Sequence, residues 1–331
     1  MRAEDIAGWV ELLEACAVTD RTGEHYSADD LAEELESPGL DLARDTLAVL
    51  RDGRLAAYGS LAVRETTEPV FRITLDAAVH PEHRGHGVGT ELLGWAIRTA
   101  EQRHAAEGPD RPLNLRAGLP EGDERGVRLL ARHGFGAVRW FSELTLDLAG
   151  DRPAAGPDPA RLTLRPYVPE DEEPLRQLRN ASFADHWGAG QWSVEEWRHY
   201  KTRSRNFRPE LSWLALAEDG TPVGLAITMY YDADTEATGV RDAWIDTVGT
   251  AASHRKRGVA SALIGRVNTT AAELGFQTVS LGVDAASPTG ADSLYRSLGF
   301  QPKRTVITYD RTESQGPAQA EGAVQTEAGG E

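Results

Sequence analysis

The sequence predicts an α/β protein built from two tandem copies of one mixed-sheet domain, and three observations carry that prediction. At 331 residues the chain is about twice the usual domain length. Four segments recur in the same order: "HYSADDLAEEL" from His25 and "QWSVEEWRHYK" from Gln191, "TLAVLRDGRLAAYG" from Thr46 and "WLALAEDGTPVGLA" from Trp213, "HRGHGVGTELL" from His83 and "HRKRGVASALI" from His254, "LLARHGFGAV" from Leu129 and "LYRSLGFQPK" from Leu294. The offset between copies stays between 165 and 171 residues, a register that chance similarity would not hold. Between them, "LAGDRPAAGPDPARL" (Leu148 to Leu162) mixes Pro, Gly and Ala without an apolar period and reads as a linker.

Each copy reads helix, helix, strand, strand, strand, glycine loop, long helix, strand, helix, strand. The first copy opens directly in its first helix at Glu4 and Asp5. Its second helix starts at the N-cap Ser27 with acids in the first turn, as its counterpart does at Ser193. Two alternating strands then meet at Asp52-Gly53, and again at Asp219-Gly220, the dipeptide of a tight hairpin. Long helices follow both loops, about Gly87 to Glu107 and Val259 to Gly275, with apolar residues at helical spacing. Such elements pack as a mixed sheet with helices on both faces. The second copy begins with an extra strand, "RLTLRPY", that the first lacks. The expected layout is a first domain over 1–148, a linker over 149–160, a second domain over 161–310 and a polar, disordered tail over 311–331.

Composition narrows the function. No apolar run approaches the roughly 18 residues of a membrane span, and the acidic N-terminus is unlike a signal peptide, so a cytoplasmic location and no membrane partner are expected. A net charge of −17 argues against nucleic acid and suits a cationic small molecule. The single cysteine, Cys16, excludes an intrachain disulfide framework and a four-thiolate zinc site. His80, His83 and His86 have a tempting spacing, but no acid or thiol completes a set, and no metal is expected.

The repeated loop is the chemical signal. A strand that turns into a helix whose first residues are small leaves unpaired amides aimed at one spot, with the helix dipole behind them. Arg84 and Arg255 stand where a side chain could reinforce such an anion site. A dinucleotide fingerprint needs three glycines, and a nucleotide P-loop needs Gly-Lys-Ser/Thr; the second copy offers neither. What both copies share is Arg-x-x-Gly-x-Gly/Ala: Arg84, Gly87, Gly89 and Arg255, Gly258, Ala260. That pattern resembles the pyrophosphate loop of the GNAT acyltransferases, over nearly all of both copies. The tandem arrangement is similar to that of mycothiol synthase-like two-domain GNAT proteins.

The resemblance implies acetyl-CoA as co-substrate and direct attack of a primary amine on its thioester. It assigns acyl-CoA binding to Val248, Gly249, Thr250, Arg255, Lys256, Arg257, Gly258, Val259 and Ala260 in the second copy. In the first copy the equivalent set is Ala77, Ala78, Val79, Arg84, Gly85, His86, Gly87, Val88 and Gly89. A tyrosine on the last helix serves the thiolate in this family; here it is Tyr295, and the matching residue is Leu130. The base lies on the strand before the loop, at Asp246, with Asp242 sharing its strand parity; Leu75 matches Asp246. An aspartate with an ordinary pKa of about 4 takes the proton through a water more readily than directly. The connection between the first two helices, with Asp185, Trp187 and Trp192, is expected to line the acceptor pocket. The second copy is thus expected to be active and the first catalytically degenerate while still holding coenzyme A. The acceptor is left open between a cysteinyl pseudo-disaccharide and an antibiotic or metabolite, in a monomer or homodimer. A non-catalytic acyl-CoA-binding regulator is the alternative of another class.

Overall fold

The computed structural model describes residues 1–64, 69–150, 159–286 and 290–313. The first half contains α1 (Ile6–Asp20), α2 (Ala28–Leu35), α3 (Leu42–Asp45), β1 (Thr46–Arg51), β2 (Arg54–Arg64), β3 (Phe71–Val79), α4 (Val88–Glu107), β4 (Leu113–Pro120), α5 (Glu124–Arg132) and β5 (Gly136–Asp147). The second contains β6 (Thr163–Pro166), α6 (Glu172–Ser182), α7 (Val194–Trp197), β7 (Trp213–Leu216), β8 (Pro222–Met229), α8 (Asp232–Thr238), β9 (Asp242–Thr250), α9 (Val259–Glu273), β10 (Thr278–Asp284), α10 (Ala291–Ser297) and β11 (Gln301–Glu313). α7 continues as one π-helical turn over Arg198–Thr202.

Local chemistry sets these boundaries. Ser27 accepts from the Asp30 amide and Ser193 from the Glu196 amide, and each acid bonds back to its serine amide, so both second helices start in capping boxes. Asp52 and Gly53 both take left-handed φ, 50° and 77°, the geometry that a two-residue hairpin requires. Four features differ from the sequence expectation. A short helix, α3, precedes β1, and the connection from β7 to β8 takes residues 217–221 rather than a two-residue turn at Asp219-Gly220. A short helix, α8, interrupts the β8–β9 connection. β11 runs to Glu313, three residues past the boundary expected at 310. Residues 151–158 of the linker and 314–331 of the tail lie outside the described residues.

The larger correction concerns the sheets. Among the described residues, eleven strands join one sheet in the order β1-β2-β3-β4-β11-β5-β10-β9-β8-β7-β6. β11 runs antiparallel between β4 and β5, and β5 pairs on its other side with β10. Each half therefore hands its last strand to the other. The cores follow the exchange: Leu144 and Leu146 of β5, with Leu148 just past its end, pack with Val259 and Leu263 of α9, while Tyr309 of β11 packs with Leu113 and Leu115 of β4. Each such leucine contributes about 2 kcal/mol by leaving water, so the two halves share one hydrophobic commitment.

Candidate active site

In both halves two parallel strands pair and then part. The β9–β10 register runs from Asp242↔Thr278 to Ile245↔Leu281 and stops, while β9 continues to Thr250. The β3–β4 register runs from Phe71↔Leu113 to Leu75↔Ala117, and β3 continues to Val79. Past those points Val248, Gly249 and Thr250, like Ala77, Ala78 and Val79, turn one backbone edge into a splay that the neighbouring parallel strand does not fill. The halves differ in one respect. β2–β3 pairing is unbroken from Ala57↔Val79 to Arg64↔Arg72, whereas β8–β9 steps from Thr228↔Ile245 to Ile227↔Thr247 and leaves Asp246 as an extra residue. A bulge of this kind re-aims a side chain and raises the local twist.

The loops superpose in conformation. Gly85 and Gly87 have φ of 83° and 86°, and Lys256 and Gly258 have 60° and 81°. Alternating left-handed residues before a helix start turn successive amides inward as an anion nest. A Cβ placed on Gly87 or Gly258 would meet nothing within 4 Å, so the space over each loop is open to a ligand. The splay, the nest and that open space fit the pantetheine amides and pyrophosphate of an acyl-CoA. Val88 and Val259, the first residues of α4 and α9, are buried beneath the loops and anchor them.

The arginines behave otherwise than expected. Arg84 reaches back to the Val79 carbonyl (3.0 Å), grips both Asp20 oxygens at 2.6 Å and touches Cys16 Sγ at 3.4 Å. Arg255 donates to the Thr250 carbonyl at 3.4 Å and to the Ser182 carbonyl at 2.8 Å. Both guanidinium groups thus tie the strand end to the end of the half's first helix. They brace the splay, so an anion held at either nest would meet backbone amides rather than these two guanidinium groups; His86, Lys256 and Arg257 neighbour the loops in sequence.

The two last helices can be compared directly. The Phe300 amide donates to the Tyr295 carbonyl and the Phe135 amide to the Leu130 carbonyl, both at 3.1 Å. The residues are therefore equivalent, a phenol in the second half and an isobutyl group in the first. Tyr295 is buried, 6.2 Å from the Phe300 ring, and burial pushes its pKa up to about 12.

Asp246 is ion-paired. Lys201 Nζ lies 2.8 Å from Oδ1 and 2.7 Å from Oδ2, and Thr247 Oγ1 donates to Oδ2 at 2.7 Å. Lys201 also stands 4.7 Å from the centre of the Trp192 ring. Asp242 is occupied by Thr278 and Ser280, and burial raises its pKa. The first half has a carboxyl near its own splay, Asp76, one residue on from the expected match at Leu75. It accepts from Tyr58 Oη at 2.9 Å, and desolvation raises its pKa.

Of the connection between α6 and α7, Trp192 joins this cluster, edge-on to Trp197 and Tyr200. Asp185 points outward, 3.8 Å from Arg255. Trp187 reaches across to the first half, where Arg116 stacks on it at 3.8 Å. The sequence reading missed Lys201 and Arg116. Lys201 was signalled by rarity, as one of three lysines among 35 basic residues.

The comparisons agree with this geometry. The Acetyltransferase (GNAT) family matches twice, over residues 7–135 and 173–300. The chain belongs to the GNAT acetyltransferases. It is 28% identical over 326 residues to a mycothiol acetyltransferase of Mycolicibacterium vanbaalenii, covering 93% of this chain and 99% of that one. To the enzyme of the same name from Stackebrandtia nassauensis it is 31% identical over 324 residues, covering 94% and 96%. Among solved structures, a GCN5-related N-acetyltransferase from Sphaerobacter thermophilus aligns over 94% of both chains with a TM-score of 0.73 and 27% identity. A tandem GNAT protein from the clavulanic acid biosynthesis pathway shares the fold with a TM-score of 0.67 at 17% identity. The chain is accordingly a GNAT enzyme that moves an acetyl group to an amine, in a family that draws on acyl-CoA. Among the described residues no helix is long and apolar enough to cross a membrane.

Proposed function

We propose that this GNAT enzyme takes acetyl-CoA as donor, acetylates the primary amine of a small molecule, and does so in its second half. One observation carries the assignment: Tyr295 occupies the backbone position that Leu130 holds in the first half. A phenol that keeps its proton to about pH 12 can deliver it to a departing thiolate, and leucine cannot. The thioester supplies the electrophile. The amides of Val248 to Thr250 orient it and polarise its carbonyl, while the nest at Lys256 to Ala260 holds the pyrophosphate. Asp246, re-aimed by its bulge, accepts the ammonium proton through a water, because Lys201 already occupies its oxygens.

The names of the relatives, mycothiol acetyltransferase, favour an acceptor that presents a cysteinyl amine on a pseudo-disaccharide. The first half then binds acyl-CoA without turning it over, and the enzyme acts in the cytoplasm as a monomer or homodimer. Thiol release from acetyl-CoA, screened against amines that include this pseudo-disaccharide, tests the reading, with the product identified by intact mass. Thiol release that no amine accelerates above background hydrolysis refutes it.

A further inference from the structure

The strand exchange places a side chain of the first half beside the acceptor loop of the second. Arg139 stands four residues after Phe135, and Arg304 stands four after Phe300, at matching places on β5 and β11. The two do matching work across the halves. Arg139 donates from Nε and Nη2 to the two oxygens of Asp284 at the end of β10, both at 2.8 Å, and from Nη2 to the Ala286 carbonyl at 3.1 Å. Its guanidinium also stands 5.4 Å from the Trp187 ring, and Phe141 on the same strand lies 6.3 Å from it. Arg304 bonds Glu143 of β5, and it bonds the Thr22 carbonyl and Glu24 in the loop that follows α1. Each arginine therefore touches the loop after the first helix of the half whose sheet its strand completes.

We propose that Arg139, a residue of the first half, is a positioning residue for the second half's acceptor site. This rests on the reading that the second half is the active one. Arg139 is nearly enclosed, with side-chain exposure of 19% against 11% for Asp284, and its planar fork fixes the carboxylate in two places at once. Through Asp284 it fixes the turn after β10, where Asp284 also accepts from the Ala286 amide at 3.0 Å. Beside Trp187 it works with Arg116 and with Arg72, which donates to the Gly188 carbonyl at 3.0 Å. The acceptor loop is thereby held by three cations of the other half. Its own half also holds the loop, through Arg179 on the Gly190 carbonyl at 2.6 Å, so the first half completes a seat that the second half only begins.

The test uses the full chain with Arg139→Ala, Arg139→Lys and Arg304→Ala. Hydrogen exchange followed by mass spectrometry reads the loops, and initial rates are measured with acetyl-CoA and the cysteinyl pseudo-disaccharide. Arg139→Ala is expected to speed exchange in residues 183–190 and to cut kcat/KM for the acceptor by up to about 10²-fold, the scale of a misplaced reactant. KM for acetyl-CoA should stay within about twofold, since an interaction confined to the acceptor leaves donor binding untouched. Arg139→Lys restores part of the rate. Arg304→Ala speeds exchange in residues 21–26 instead. Faster loop exchange with an unchanged acceptor kcat/KM overturns the proposal, as does an equal rise in both Michaelis constants. Should the acceptor effect follow Arg304→Ala rather than Arg139→Ala, the failure lies in the choice of active half. A pseudo-disaccharide that the wild type does not acetylate bears on the acceptor alone, and the exchange measurements still decide whether Arg139 seats the loop.

Discussion

Valine at Gly258 should abolish turnover, and valine at Gly87 supplies a matched control from within the same molecule. Both glycines hold left-handed backbone, at 81° and 86°, and a Cβ at either would meet no atom within 4 Å. No neighbouring atom opposes the Cβ itself, and the main folding cost is the backbone strain, about 1–2 kcal/mol at each site. For a chain of this size that lowers Tm by only a few degrees, about equally for both variants. The cost to ligand binding is separate. The added methyl groups stand in the open space over the amides that begin α9, where the pyrophosphate must come within hydrogen-bond distance. Losing two charge-assisted hydrogen bonds at about 1.5–3 kcal/mol each raises the donor's apparent dissociation constant by about 10²- to 10⁴-fold. The assay is thermal unfolding, initial thiol-release rates across acetyl-CoA concentrations, and calorimetry of coenzyme binding. Wild type should show two coenzyme sites per chain, and Gly87→Val one site with most of the turnover kept. A folded Gly258→Val enzyme with an unaltered KM for acetyl-CoA would refute the loop assignment. A folded Gly87→Val enzyme without activity would refute the choice of the second half.

Three other expectations follow from the geometry. Tyr295→Phe should slow turnover by about 10²-fold with little change in acetyl-CoA affinity, and since burial lifts the phenol to about 12, the wild-type kcat should show no loss from its ionisation below pH 10; unchanged turnover in the variant would mean that another donor serves the thiolate. Lys201→Met leaves the Asp246 carboxylate without its ammonium partner and should cost about 2 kcal/mol in urea unfolding, a loss below 0.5 kcal/mol, roughly the scale of a surface substitution, being the contrary result. Burial raises Glu34 to about 7 and Asp234 to about 6, so the folded state holds their protons more tightly than the unfolded chain, and their contribution to stability is present at pH 4 and lost as pH rises through 6 to 7; Glu34→Gln should therefore raise Tm at pH 8 and leave it unchanged at pH 4, and a lower Tm at pH 8 would contradict the sign.

Much of this was legible because it is local. The two helix starts are written in Ser27 and Ser193, the hairpin in Asp52-Gly53, and the loops in glycines whose left-handed φ few other residues adopt. The alignment of Tyr295 with Leu130 was equally readable, since each stands five positions before the phenylalanine of its Gly-Phe. What escaped is long-range. An alternating strand such as β5 carries the same apolar period whether it closes its own sheet or its neighbour's, so Leu144 and Leu146 gave no sign of belonging to α9's core. Arg84 and Arg255 were misread for a related reason. A cation beside a glycine loop looks like an anion ligand until the carbonyls of Val79, Thr250 and Ser182 are seen within its reach. The bulge at Asp246 is likewise a property of two strands, visible only when β8 is laid against β9.

The interleaved order β4-β11-β5 has a consequence for the birth of the molecule. Ribosomes release β4 and β5 long before β11 exists, since about 190 residues separate Pro120 from Glu313, and at elongation rates of about 5–20 residues per second the wait lasts roughly 10–40 seconds. Through that interval the edge of β4 presents unsatisfied amides and carbonyls beside the apolar side chains of Leu113 and Leu115, the kind of edge on which strands of other nascent chains pair. The final stretch of synthesis thus acts as a stopper. A stop codon just after Glu313 keeps every described strand and should leave soluble yield intact, whereas one placed before Gln301 should send the product into inclusion bodies, although every described element of the first half has already been made.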